Sequence, residues 1–177
     1  MSFRNTQNSF GSVSKFLHWT IAVLVIVMVS AGWFMDNLPD AIRGTVINFH
    51  KLTGLLILLL MLIRVVWALL NVKPKEPPGT SSFQKLVEWG GHFFLYALVI
   101  AQPLTGWIGS VAAGHAPFLG SFKFNLPVEK SKALVTLCFQ AHTVIAILII
   151  VTVTLHILAA LYHHFIRKDN VLIRMMP

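Results

Sequence analysis

Residues 140–165 read QAHTVIAILIIVTVTLHILAALYHHF. The stretch is apolar enough to lie in lipid, yet it carries imidazoles at His142 and His156 and two more at His163 and His164. It contains no Asp, Glu, Lys or Arg, and as an α-helix rising 1.5 Å per residue it is longer than a hydrocarbon core of about 30 Å. A helix is the form such a segment takes, because lipid offers nothing else to satisfy the backbone. What holds the imidazoles is the open question, since polar side chains in a membrane are costly without a partner.

Outward from this stretch the same character recurs. Four apolar runs, 16–35, 49–70, 93–111 and 133–166, are each long enough to cross a bilayer. Hydrophobic residues make up 56% of the 177 positions and charged ones 11%, about half the charge of a soluble domain. The expected fold is all-α: an integral membrane four-helix bundle, one domain over 1–177. Pro74, Pro77, Pro78 and Gly79 in NVKPKEPPGTSSFQK mark the loop between the second and third runs. Met1 to Gly11 lacks the order of a cleavable signal peptide, so the first run is expected to be a retained helix. With Cys138 alone, no internal disulfide and no CxxCH tether can form.

Nine Lys and Arg (Arg4, Lys15, Arg64, Lys73, Lys75, Lys85, Arg167, Lys168, Arg174) fall on one side of this alternation. Five (Arg43, Lys51, Lys123, Lys130, Lys132) fall on the other. Basic loops stay inside, so both termini are expected to be cytoplasmic. The net charge of +8 is accounted for by this topology, and nucleic acid is not an expected partner; membrane lipid is. The connection 112–132 carries Phe118, Phe122 and Phe124, which suggests a partly ordered flap against the outer interface.

His142 and His156 are 14 residues apart, about 21 Å of helix rise and about 40° short of whole turns. They leave one face, one near each leaflet. His18 opens the first run at its inner end and His50 opens the second at its outer end. Pairing by height joins His18 to His156 and His50 to His142. Two bis-imidazole pairs stacked in a helical bundle are what two b-type haems need, one nitrogen on each face of each iron. Gly32, Arg64 and Gly106 lie 14 residues after His18, His50 and His92. Glycines there would admit a flat macrocycle, or serve only helix packing. Arg64 is suited to a haem propionate, or to snorkelling toward headgroups. His92 is a spare imidazole at the inner level, a candidate quinone or propionate contact or substitute ligand. His163 could compete as inner ligand, but its place in the basic tail favours interfacial hydrogen bonding; His115, in the outer connection, is expected to meet water or the outer edge of the bundle.

Filling both axial positions favours electron transfer over oxygen activation, between a quinone at the inner end and an outer-face redox partner. That partner is a small anion or a docking protein, attracted by Lys123, Lys130 and Lys132. A metal-ion transporter is the rival from another class. It is disfavoured because all six acids, Asp36, Asp40, Glu76, Glu88, Glu129 and Asp169, lie outside the apolar runs. A haem-bearing membrane anchor of a larger dehydrogenase or hydrogenase would use the same wire.

SKFLHW at 14–19, HKLTG at 50–54, Arg64, GH at 91–92, the pair His142 and His156, and the tail HHFIRKDNVLIRMMP from His163 resemble the bacterial cytochrome b-561 family, akin to the cytochrome b subunits of nickel-iron hydrogenases and formate dehydrogenases. The resemblance covers nearly the whole chain. It implies a multi-pass bacterial inner-membrane protein with two haems b, the ligands falling on His18, His50, His142 and His156. It also implies quinone reactivity and, as a candidate activity found in some stand-alone members, superoxide oxidation coupled to ubiquinone reduction.

Overall fold

The computed structural model describes residues 2–77 and 79–176, with Asp36 described in its backbone only. The breaker role expected of Pro78 and the placement expected of the Asp36 side chain lie outside the described residues. Four helices dominate: α1 (Ser12–Phe34), α2 (Asp40–Leu69), α3 (Ser82–Ala112) and α4 (Lys132–Phe165). A 3-10 turn, Met35–Asn37, joins α1 to α2, and a short antiparallel hairpin, β1 (Phe118–Leu119) and β2 (Phe122–Lys123), lies between α3 and α4. Each helix is long and apolar enough to cross a membrane.

Each helix begins before its apolar run, by one residue in α4 and by eleven in α3, and side-chain capping marks the start of those two. Ser81 and Gln84 form a reciprocal capping box, so α3 begins eleven residues before Phe93 with a polar first stretch that includes Lys85 and Glu88. Asp40 occupies the first turn of α2, where a carboxylate opposes the positive end of the helix dipole. Ser131 accepts the Leu134 N–H at the start of α4.

Ile21 and Val25 on α1, Ile57 and Met61 on α2, Leu98 and Val99 on α3 and Ile149 on α4 form the buried centre. Many more apolar side chains face outward, among them Val27, Leu59, Val151 and Leu155, as expected where the solvent is lipid. α3 packs closely along α4, and α2 along both α1 and α3, whereas α4 makes little close backbone approach to α1 or α2. The α3–α4 seam is tight: a Cβ on Gly109 would stand 2.9 Å from Cys138 Cβ.

The two ends are built differently. At one end the amino-terminal segment, the α2–α3 connection and the carboxy-terminal tail are stitched together. Asn5 Nδ2 donates to the Val72 carbonyl at 3.1 Å, Arg174 Nη1 to the Lys75 carbonyl at 2.6 Å, and Trp19 Nε1 to the Met175 carbonyl at 2.9 Å. At the other end the hairpin is tied to α2 and α3. Both termini therefore emerge at one end of the bundle.

Candidate functional site

At the hairpin end, α2 presents His50 and α4 presents His142 with ring centroids 6.4 Å apart. His142 is fixed by α3: its Nδ1 lies 2.9 Å from the Gln102 carbonyl and 3.1 Å from Thr105 Oγ1. A carbonyl only accepts, so Nδ1 carries the proton and Nε2 keeps a free lone pair. His50 Nδ1 is buried without a hydrogen-bond partner. A glycine stands opposite each ring, and at His142 an added side chain would crowd it. A Cβ on Gly32 would meet His50 Cε1 at 3.4 Å, and one on Gly106 would meet His142 Cε1 at 3.0 Å. The glycines at these positions thus both serve the hairpin-end pair. A cavity of about 310 Å³ lies here, lined by Val29, Gly32, His50, Gly54, Gln102 and His142 among others.

At the terminal end the constellation is richer than a pair. His18 on α1 and His156 on α4 have centroids 6.3 Å apart, and His92 on α3 stands closer to His156, at 5.6 Å. His92 Nδ1 donates to the Glu88 carbonyl one turn back at 2.8 Å, which leaves its Nε2 lone pair free as well. Arg64 on α2 donates from Nη1 to His18 Nδ1 at 2.9 Å and from Nε to Tyr96 Oη at 2.9 Å. A groove of about 350 Å³ beside it is lined by Val65, Leu69, Trp89, His92, Phe93 and Tyr96.

The near-equal separations at two levels form a test of fit. Two metal–imidazole bonds of about 2 Å each, with roughly 1 Å more to each ring centre, place centroids about 6 Å apart. Both pairs meet this spacing, and the orphaned His50 nitrogen and the glycine relief at His50 and His142 add to it. The residues present fit a flat bis-imidazole cofactor.

Of the two roles considered for His163, the hydrogen-bonding one is seen: its Nδ1 lies 2.6 Å from Asp169 Oδ2. Burial pushes the Asp169 carboxyl upward, but the His163 hydrogen bond, the Val171 N–H and the charges of His163 and Arg167 together hold it below its ordinary value. The His115 carbonyl accepts from Lys51 Nζ at 2.8 Å and from Ser110 Oγ, so this residue is part of the hairpin-end roof. Tyr96, Thr105 and the Gln102 carbonyl went unnoticed in the sequence. Tyr96 did leave a trace, lying one turn beyond His92 on the same helix face.

The sequence profile described as prokaryotic cytochrome b561 matches residues 9–177. The chain is 31% identical to cytochrome b561 homolog 2 of Escherichia coli (strain K12), covering 99% of this chain and 95% of that protein. It is 29% identical to the probable superoxide oxidase CybB of Yersinia pestis, covering 91% and 92%, and 28% identical to cytochrome b562 of Cereibacter sphaeroides, covering 90% of each.

Proposed function

The chain belongs to the prokaryotic cytochrome b561 family, a multi-pass electron-transfer protein of the bacterial inner membrane with haem b as the implied cofactor, and from that premise we propose that it carries two haems b and moves electrons between a membrane quinone and a partner at the hairpin end. The observation that carries this reading is the recurrence of one imidazole separation, 6.4 Å and 6.3 Å, at two levels of the bundle.

Haem b supplies reversible one-electron chemistry when bound. His50 and His142 would hold it at the hairpin end, and His18 and His156 at the terminal end. The Gln102 carbonyl keeps the His142 proton on Nδ1 and leaves Nε2 as the donor to a metal, the usual outer-shell arrangement for a metal-binding histidine. Were His18 to hold haem iron through Nε2, its proton would sit on Nδ1 and Arg64 would need an acceptor other than this ring. A haem propionate is the acceptor we assign to Arg64, with Tyr96 still bonded to its Nε. His92, with the Nε2 lone pair free and its ring lining the lateral groove, would accept a hydrogen bond and a proton from a quinol hydroxyl, and once protonated would donate to a quinone oxygen. The cytoplasmic side is assigned to the terminal end, where the basic residues predominate.

At the other end Lys51, Lys123, Lys130 and Lys132 favour a small anion or an acidic protein surface. Superoxide is the candidate small anion, in keeping with the name of the Yersinia pestis relative. Two superoxide ions would leave as two dioxygen molecules, and their two electrons with two protons would convert quinone to quinol.

The test uses purified protein in lipid nanodiscs. A short-chain ubiquinol should reduce the b-type absorbance in wild type. In His92→Ala the rate should fall about 100-fold, as when a general acid–base group is lost, with the dithionite-reducible absorbance unchanged. Quinol reduction at the wild-type rate in His92→Ala would contradict the quinone role of this residue.

A further inference from the structure

We propose that the hairpin Phe118–Lys123 is an interfacial foot, seated in the headgroup region of the lipid leaflet at its end of the bundle. The inference begins with depth. The hairpin is fixed to α2 through one side chain: Asn48 Nδ2 donates to the Phe118 carbonyl at 2.9 Å, and Asn48 Oδ1 accepts the Phe118 N–H at 3.1 Å. The amide imitates a neighbouring strand and fixes the height of the loop. Asn48 is the residue immediately before the apolar run of α2. The helix continues outward to Asp40, about 12 Å farther at 1.5 Å per residue. The hairpin therefore sits where hydrocarbon gives way to headgroups, well below the outermost turn of α2.

Its side chains suit that depth. Leu119 and Phe122 are cross-strand partners and project from one face, and both are strongly exposed, at 65% and 64%. Phe122 also packs edge-on against Phe124. Phe118 and Lys123 are partners on the opposite face, and Lys123 is exposed, able to reach a phosphate at that level. Phe49, next to Asn48 in α2, is likewise 65% exposed.

Rigidity supports the assignment. Gly120 with φ +57° makes the tight two-residue turn. Phe124 N–H donates to the Pro117 carbonyl at 2.9 Å, and Trp107 Nε1 on α3 donates to the Phe124 carbonyl at 2.8 Å. A loop held at three points does not fold its exposed aromatic residues away from water. A lipid interface removes that exposure, and aromatic side chains are enriched there.

Site-directed spin labels at Leu119→Cys and Phe122→Cys, in nanodiscs of mixed neutral and anionic phosphatidyl lipids, test this directly. Cys138 is buried, and unsubstituted protein gives the background labelling. Glu129→Cys, in the same connection and exposed, is the aqueous control. Labels at 119 and 122 are expected to collide more often with oxygen than with a water-soluble nickel chelate, the reverse of position 129. Nickel accessibility at 119 and 122 equal to that at 129 would overturn the proposal. So would shielding from both agents, which would mean a protein-covered face. The two labelled positions are independent, so one badly folded variant leaves the other decisive.

Discussion

At Gly106 a side chain would start 3.0 Å from His142 Cε1, tighter than ordinary van der Waals contact. Gly106→Ala is therefore expected to displace the imidazole, with an overpacking cost of about 1–3 kcal/mol, and to lower or broaden the reduced b-band through the hairpin-end centre. Gly44, also helical, has nothing within 4 Å of such a Cβ. Gly44→Ala is expected to leave the spectrum unchanged and to stabilise by up to about 1 kcal/mol. Thermal melts followed by haem absorbance compare the two variants. Asp169 tests the opposite end. Its folded pKa lies below its ordinary value, so the stabilisation it gives the tail is complete above the unfolded value and is lost as pH falls through the folded one. Asp169→Asn at neutral pH should loosen residues 166–176 by about 1.5 kcal/mol, read as faster amide exchange or proteolysis of the tail. Wild-type exchange should approach that of the variant only in acid.

At the scale of elements, the sequence made the four helices legible because lipid removes every alternative for a long uncharged segment. Their ends were less legible. α3 starts at Ser82 through a capping box, a local hydrogen-bond pattern that hydropathy does not register. Ser81→Ala should cost about 1 kcal/mol and shift the melting point without altering the spectrum. The hairpin was readable only as aromatic residues in a loop, since its position depends on Asn48, which lies 70 residues away in the chain. The site divides the same way. Helix periodicity and alternating depth suffice to bring His50 near His142, and His18 near His156. The closer approach of His92 to His156 and the Arg64 bond to His18 depend on how α2 and α3 are rotated about their axes, which spacing along one helix does not determine.

The terminal end is closed by three stitched segments and carries the lateral groove with His92, while the hairpin end carries the roof over His50 and His142. Single cysteines at Lys168 and Glu129 should label from opposite sides of sealed right-side-out vesicles with a membrane-impermeant thiol reagent, position 129 reacting from outside and position 168 only after permeabilisation. Pyridine haemochrome quantification of haem per purified chain decides whether the bundle holds two centres, each clamped by an imidazole pair. Two haems b in wild type, one in each of His18→Ala, His50→Ala, His142→Ala and His156→Ala, and two in His92→Ala are the predicted result. A single haem in wild type, or loss of haem in His92→Ala with full retention in His18→Ala, would contradict it.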